Sequence, residues 1–331
     1  MNLTAYRLSF PGPVHISDAR GDYGKGEKII HSDTFYAALL AASALTQATV
    51  DADLDCTISS LFPFTKAKDK VVYFFPKPLL QLQQFTDYDD VKKLKRIEWM
   101  DKVYFEQLLQ GKITSPINQA TIKGSFLTAL EIDKAFTFTQ TIPRVAIPRS
   151  ANDNNGQTNI YYIERTYFKE DSGLYFLAFG DTSKLERALN ILQHEGIGTD
   201  RNVGFGYFKI FKDSNFSLSL PRSSDFSVSL SLLNTDEQEK IEEITKKERA
   251  AWEVIRRGGW VTSQGNNGIR KRSVYMFTEG SIFYCPSTGI TTLGKHNLNL
   301  SPPAISGFEP PKHEIWRSGR AIILPINLHE R

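Results

Sequence analysis

The part of the sequence that decides the fold lies near its middle and consists of GLYFLAFG (173–180), SKLERALNILQH (183–194), GIGTDRNVGFG (196–206) and YFKIF (207–211). The first and last pieces are rich in aromatic and branched residues, which favour β-strands. In the second piece apolar residues recur three or four positions apart, which predicts an amphipathic helix. The third piece predicts a loop. The sequence therefore predicts a strand, a helix, a glycine-rich loop and a strand in succession.

The N-terminal residues add a further strand and helix. LTAYRLSF (3–10) mixes branched, aromatic and polar residues and predicts an opening strand. The polar cluster HSDT (31–34) precedes apolar residues at helical spacing. We therefore expect a helix there, with Ser32 or Asp33 as its N-cap.

The region between these ends supplies the remaining elements of the first domain. VVYFF (71–75) predicts a short buried strand, and residues 88–110 predict a helix. IYYIERTYF (160–168) predicts a strand that forms a hairpin with residues 173–180. The resulting order of strand, helix, strand, strand, helix and strand is typical of the ferredoxin-like fold, which RNA-recognition modules share.

Two domains are expected from changes in composition along the chain. Residues 213–224 are rich in Ser, Asn and Pro and predict a linker, after which FSVSLSL (226–232) alternates as a new first strand. We expect an α+β protein with two ferredoxin-like (RRM-like) domains, at 1–215 and 225–331. The stretch 117–156 lacks regular periodicity and predicts a long insertion in the first domain, of a kind that is more often functional than idle.

The composition excludes several classes of protein. The chain has 331 residues, with 40 basic and 37 acidic side chains and a formal net charge of +3. This balance excludes a histone-like binder, so any polyanion site must be local. The two cysteines, Cys56 and Cys285, exclude a disulfide scaffold and a zinc site made of cysteine alone. Because the six histidines have no metal-ligand spacing, we expect no metal and no cofactor.

The opening residues and the apolar runs indicate a cytoplasmic protein. Residues 1–10 alternate in polarity instead of pairing a charged start with an apolar block, so they do not predict a secretory signal. The longest small-apolar run, at 37–45, is about half of the ~20 residues that a membrane-spanning helix needs.

Sequence patterns of common enzymes are absent. The chain has neither a nucleophile-elbow nor a Walker A motif. Asp200 is the one acidic residue in the glycine-rich loop. Beside Arg201 it is more typical of a turn former or an arginine partner than of a general base. We therefore expect no catalytic residues and no enzyme activity.

Three loops combine glycine with basic or aromatic residues, at 21–28, 196–206 and 258–272. Glycine allows a ribose-phosphate chain to approach the main chain closely, where N–H groups and basic side chains can meet phosphates. Each loop is also explained by an ordinary structural feature: a tight turn, a helix C-cap or a solvated hairpin tip. From the residues alone, the RNA-binding and the structural interpretations stay open.

The combination of these segments resembles a known family. HSDTF (31–35), the glycine-rich loop with its following residues (196–208), RGGW (257–260), Arg270-Lys271 and EGS (279–281) together resemble the fourth subunit of type III-A (Csm) CRISPR interference complexes. That subunit belongs to the RAMP superfamily of ferredoxin-like proteins that bind CRISPR RNA (crRNA). The resemblance spans nearly the whole chain.

The resemblance implies a role in RNA binding. It implies a non-catalytic subunit for antiviral defence that caps the crRNA 5′ handle and contacts the duplex with target RNA. Its implied protein partners are the large polymerase-like subunit and the backbone RAMP subunit of the complex. The family also projects a β-hairpin thumb across the guide–target duplex, and the insertion around 117–156 matches it, with RVAIPR (144–149) as its corresponding segment.

The candidate RNA contacts follow from the loops and from the resemblance. Arg144, Arg149 and Arg165 lie in extended segments, where alternate residues share a face and could follow an RNA backbone. The full set is Lys25, His31, Ser32, Lys123, Arg144, Arg149, Arg165, Gly198, Thr199, Arg201, Asn202, Gly204, Gly206, Trp260, Arg270, Lys271 and Arg272.

Two competing functions remain at this point. One is a RAMP endoribonuclease that processes precursor crRNA, for which His31 and Tyr23 are the plausible general acid–base residues. The other is a protein scaffold without RNA contact, whose interactions would be insensitive to salt.

Overall fold

The computed structural model describes residues 3–16, 24–47, 51–80, 88–112, 117–146, 159–261, 269–302 and 313–328, which form an α+β fold. The helices are α1 (Ser32–Ala44), α2 (Tyr88–Lys95), α3 (Lys102–Leu109), α4 (Ser183–Glu195) and α5 (Gln238–Thr245). The strands up to the linker are β1 (Leu3–Ser9), β2 (Cys56–Ile58), β3 (Phe62–Ala67), β4 (Lys70–Pro76), β5 (Trp99–Asp101), β6 (Ile122–Lys123), β7 (Phe126–Leu127), β8 (Thr137–Ala146), β9 (Asn159–Phe168), β10 (Gly173–Gly180) and β11 (Lys209–Asp213). Those that follow are β12 (Ser224–Ser229), β13 (Val254–Arg257), β14 (Val274–Phe277), β15 (Ile282–Ser287), β16 (Thr291–Leu293), β17 (Leu298–Asn299), β18 (Trp316–Arg317) and β19 (Ala321–Pro325).

A large sheet forms the body of the N-terminal part. Its strand order is β11-β1-β10-β3-β4-β5-β7-β6, and β2 pairs with β10 outside this path. Strand β1 is antiparallel to both neighbours, so Tyr6 lies between Phe176 and Lys212. Helices α1 and α4 contact each other, and their buried side chains share one core with Tyr6 and Phe176. One face of the sheet is therefore covered by this helix pair.

The other face of the sheet packs against the C-terminal part. There β12, β15, β16 and β19 form an antiparallel sheet in the order β15-β12-β19-β16. Ala5 and Phe62 of the first sheet belong to the same buried cluster as Val228 and Ile322 of the second. The two sheets therefore share a hydrophobic core. Among the described residues, α5 is the one helix of the C-terminal part, so a complete ferredoxin-like fold there stays a prediction.

The structure corrects several local predictions. Residues 160–168 do not pair with 173–180, because β9 runs back along β8 while β10 enters the large sheet. The hairpin of the insertion therefore begins at Thr137, and residues earlier in 117–156 form β6 and β7 at the edge of the sheet. The predicted helix at 88–110 is divided into α2 and α3 by the short strand β5.

The N-cap prediction for α1 is also wrong. His31 occupies the N-cap position and makes no side-chain capping hydrogen bond, while Ser32 and Asp33 lie inside the first turn. Both of these side chains are buried and bonded to other elements, which explains why neither caps the helix. Within the described ranges, no helix is long and apolar enough to cross a membrane.

Candidate nucleic-acid interface

Asp200 joins the glycine-rich loop to the long β8–β9 hairpin. Its carboxylate accepts two hydrogen bonds from Arg165, at 2.9 Å from Nε and 2.6 Å from Nη2. Arg144 Nη2 lies 3.5 Å from the other carboxylate oxygen. The ring of Phe205 lies 4.3 Å from the Arg165 guanidinium carbon, close enough for a cation–π contact. Asp200 is thus an arginine partner, as the sequence favoured, but its partners come from the hairpin and not from Arg201.

Contacts within the chain explain why most of these positions in the loop are glycine. Gly198 and Gly206 have φ values of 101° and 78°, and a Cβ at either position would clash with the carbonyl oxygen of His15 or Ile197, respectively. Gly204 also has a positive φ of 87°, but in the described part of the chain, its two neighbours in sequence aside, no atom lies within 4 Å of the position its Cβ would take. Close approach by RNA is therefore not needed to explain Gly198 and Gly206, and only Gly204 borders open space.

The tip of the loop forms an exposed, basic surface. Thr199, Arg201, Asn202 and Gly204 are exposed on the short 3-10 turn that spans Thr199–Val203. Arg201 has no ion-pair partner in the described part of the chain. Its charge is thus available to an anion at a place where Gly204 leaves room for a ligand.

The hairpin carries two different faces. The cross-strand pairs place Arg144 beside Tyr161 and Gln140 beside Arg165, so both arginines lie on one face, as the sequence predicts. Arg165 is buried at the hairpin's base, whereas Arg144 is partly exposed. Arg149 falls outside the described residues. The site thus contains Arg144 as an accessible cation and Arg165 as an internal one.

The other hairpin face is apolar beyond its base, which the sequence reasoning missed. Pro143 pairs with Tyr162 and Val145 with Ile160, and all four are exposed. The signal was present in the sequence, since the residues at 160 and 162, which share a face of an extended strand, are Ile and Tyr. It was not recognised, because that strand was assigned to a different hairpin.

The first turn of α1 lies in the junction between the two sheets. The Ser32 hydroxyl accepts a hydrogen bond from Leu232 N at 3.0 Å. His31 Nδ1 lies 2.8 Å from a Glu279 oxygen, and its Nε2 lies 3.4 Å from Glu27. Burial acts to lower the pKa of His31, but the two carboxylates outweigh it and raise that pKa. The RNA contacts of His31 and Ser32 stay predictions, and this placement does not favour them.

Asp33 forms the centre of the same junction. It accepts hydrogen bonds at 3.1 Å from Nε and from Nη2 of Arg257. Arg317 donates from Nη1 to the Asp33 main-chain oxygen at 3.0 Å. Burial favours the neutral acid, yet the two guanidinium groups outweigh it and hold the pKa of Asp33 well below its usual range. The motifs HSDTF, RGGW and EGS, distant in sequence, therefore meet at this junction.

The third glycine-rich loop presents an aromatic and basic surface. Trp260 forms a bridge with Arg270, whose guanidinium lies 4.8 Å from the centre of the indole ring. Trp260, Arg270 and Arg272 are exposed, while Lys271 is partly buried. Tyr275 is 65% exposed on the neighbouring strand β14 and was not predicted from the sequence. Aromatic rings beside arginines are a common platform for RNA bases.

The remaining candidates lie apart from these surfaces. Lys25 is exposed, next to Gly26, whose N–H donates to Glu164 of the hairpin. Lys123 lies on β6, at the far end of the large sheet, where it pairs with Glu131 at 2.9 Å. The structure therefore brings Lys25 near the hairpin but leaves Lys123 separate.

Comparison with known proteins shows what the chain is similar to. The model of the CRISPR Csm4 C-terminal domain matches residues 222–326. A protein from Thermococcus onnurineus described as CRISPR system Cms protein Csm4 is 27% identical, covering 93% of this chain and 95% of that protein. Over nearly its whole length, the chain is similar to Csm4 proteins. A Csm4 protein of Mycobacterium tuberculosis is 26% identical over 87% of this chain and 90% of its own length.

Solved structures of Csm4 proteins share the fold over the whole chain. A Csm1-Csm4 cassette in complex with pppApA contains a chain with a TM-score of 0.57 and 20% identity, and each chain is covered to 99%. A Csm3-Csm4 subcomplex of the type III-A CRISPR-Cas interference complex contains one with a TM-score of 0.57 and 18% identity, covering 99% of this chain and 100% of that one. The resemblance to the Csm4 family found in the sequence is thereby confirmed.

Proposed function

We propose that this chain is a non-catalytic, RNA-binding subunit of a type III-A CRISPR effector that acts in the cytoplasm in antiviral defence. In this proposal it caps the crRNA 5′ handle and docks both the large polymerase-like subunit and the backbone RAMP subunit. The observation that carries the proposal is the likeness over the whole chain to Csm4 proteins whose structures include Csm1 or Csm3. That likeness covers both sheets and not only the C-terminal domain.

Two surfaces support direct contact with RNA. The first combines the exposed tip of the glycine-rich loop with Arg144, so that Arg201 and Arg144 can each meet a phosphate of crRNA or target RNA. The second combines Trp260 and Tyr275 with Arg270 and can stack bases while holding phosphates. Separate surfaces of this kind fit a subunit that follows an RNA strand over several nucleotides.

The finer architecture fits the same proposal. The order β11-β1-β10-β3, with α1 after β1 and α4 after β10, agrees with the connections of a ferredoxin-like domain and supports that assignment for the N-terminal part. We interpret it as the RAMP domain and the β8–β9 hairpin as its thumb. The hairpin is anchored at its base by Asp200, which would hold a thumb at a fixed angle to the bound RNA.

The surroundings of His31 argue against the endoribonuclease alternative. A general base must reach a ribose hydroxyl, whereas both nitrogens of His31 face carboxylates within the junction. Tyr23 lies outside the described residues. Incubation of the purified chain with repeat RNA tests this point, and cleavage that is lost in His31→Ala would establish the endoribonuclease in place of our proposal.

Filter binding with handle RNA at several salt concentrations tests the RNA-binding function. We expect Arg144→Ala with Arg201→Ala to weaken binding and to reduce the salt slope by about 0.7 for each phosphate that the protein no longer neutralises. Arg222→Ala is a matched control, because Arg222 is an exposed arginine of the linker that belongs to neither surface. Salt-independent binding would favour the scaffold alternative. Co-purification with the large and backbone subunits tests the docking role.

A further inference from the structure

Lys271 is a candidate RNA contact in the segment after RGGW, whose Arg257 belongs to the domain junction. Its main-chain N–H donates to Gly259 O at 2.9 Å, which fixes it opposite the glycine pair of RGGW. Its neighbours Arg270 and Arg272 are exposed, whereas Lys271 is partly buried. Gly259 has a φ of 106°, and among the described residues, its two chain neighbours aside, no atom lies within 4 Å of the position its Cβ would take. The described part of the chain therefore leaves space beside Gly259, opposite Lys271.

The charges around Lys271 come from three elements. Asp33 of α1, Arg257 of β13 and Arg317 of β18 all act electrostatically on the Lys271 amine. Asp33 is already shared between the two arginines, by the hydrogen bonds described above and by a contact of 3.9 Å from Arg317 Nε.

The other carboxylates of the junction are also occupied. Glu27 lies 3.3 Å from Arg257 Nη1 and 3.4 Å from His31 Nε2. Glu279 is taken by His31 and by the Ser60 hydroxyl. Within the described ranges, Lys271 has no carboxylate within 4.0 Å. The junction therefore contains one cation, Lys271, that is not paired with a carboxylate.

We propose that Lys271 is a phosphate site at the domain junction, where it binds a phosphodiester of the RNA. This inference rests on the proposed RNA-binding function. A phosphodiester beside Gly259 would meet the Lys271 amine directly, while Arg257 and Arg317 would attract it from within the junction. The phosphate would supply the anion that Lys271 lacks.

The protonation of Lys271 gives this site a pH dependence. Burial, together with Arg317 and Arg257, lowers the pKa of Lys271 to about 7, against the opposing effect of Asp33. A bound phosphate favours the charged amine and raises its pKa, so RNA binding takes up a proton. The affinity is then constant below pH 7 and falls above it, by up to tenfold per pH unit, until the pKa of the complex is reached.

The test measures binding of the full chain to handle RNA with a 5′-hydroxyl end, from pH 6 to pH 9 at constant salt. The 5′-hydroxyl end leaves only phosphodiesters, which do not titrate in this range. If the bound lysine regains its ordinary pKa, we expect the affinity to fall roughly fiftyfold from pH 7 to pH 9. We expect Lys271→Met to bind more weakly at pH 6 and to lose this dependence. Lys271→Arg should bind well with no such dependence, because arginine stays charged.

Arg272→Met is the matched control, since it removes the positive charge of an exposed neighbouring arginine. We expect it to weaken binding equally at every pH. Calorimetry in buffers of different ionisation enthalpy should find close to one more proton taken up at pH 8 by the wild type than by Lys271→Met. A wild-type affinity that changes less than twofold above pH 7, or a dependence that survives in Lys271→Met, would overturn this inference alone. Absence of RNA binding at every pH would overturn the proposed function itself.

Discussion

Replacing Asp200 by alanine removes the carboxylate that fixes the glycine-rich loop to the hairpin. The Arg165 side chain is only 8% exposed and that of Asp200 13%, so the substitution leaves a buried guanidinium without its anion. Loss of one partner of a buried ion pair costs about 3–5 kcal/mol. Because Asp200 retains some contact with water, we expect the free energy of unfolding to fall by about 3 kcal/mol.

Thermal unfolding followed by circular dichroism measures this decrease. For cooperative units of 150–250 residues, 1 kcal/mol corresponds to roughly 2–4 °C, so Asp200→Ala should lower Tm by roughly 6–12 °C. Arg144→Met is the comparison for an exposed contact and should cost less than about 1 kcal/mol, because Arg144 is 32% exposed and 3.5 Å from the carboxylate.

A compensating pair of substitutions separates charge from packing. Arg165→Met with Asp200→Leu replaces the ion pair by apolar side chains of similar size beside Phe205, and we expect it to restore most of the decrease in Tm. The reasoning fails if Asp200→Ala melts within 2 °C of the wild type. It also fails if the double substitution is no more stable than Asp200→Ala.

The remaining predictions concern the loop glycines, the junction and the stacking surface. Gly206→Ala should lower the free energy of unfolding, measured with denaturant, by on the order of 3 kcal/mol, because the new Cβ clashes with the Ile197 carbonyl oxygen. Gly204→Asn should lower it by under about 1 kcal/mol, and equal decreases in the two variants would contradict this. The His31–Glu279 pair should stabilise the fold fully below about pH 6.5 and lose that effect as the pH rises through the raised pKa of His31, and Glu279→Gln should flatten the dependence of Tm on pH. Trp260→Ala should weaken RNA binding by about 1–3 kcal/mol while Tm stays within 2 °C, and unchanged affinity would remove Trp260 from the site.

Elements with a strong local pattern could be predicted from the sequence. The helical spacing in 183–194 agrees with α4, and the aromatic run at 173–180 agrees with β10. The pairing of β9 with β8 could not be predicted, because the partner strand lies beyond an irregular segment and the local turn at 169–172 suggested a simpler hairpin. Local propensity identifies a strand but does not select its neighbour.

The candidate site, too, could be predicted only in part. The loop rich in glycine and arginine was recognised, but the sequence could not tell whether each glycine faces RNA or the chain's own backbone. Gly206 illustrates this, since its positive φ serves a contact with Ile197. The burial of Asp33 was equally hidden, because its partner Arg257 is 224 positions away.

Because the two sheets share a hydrophobic core, the C-terminal domain that recurs in the family is not the same unit as the one that folds. The family match begins at residue 222, yet Val228 and Ile322 within it are fully buried in a cluster that includes Ala5 and Phe62. Residues 222–326 expressed alone would expose that apolar face and should aggregate. Exchange of this domain between homologues would likewise have to preserve a face complementary to the first sheet. Substitutions on either side of this core are therefore expected to be accepted in pairs.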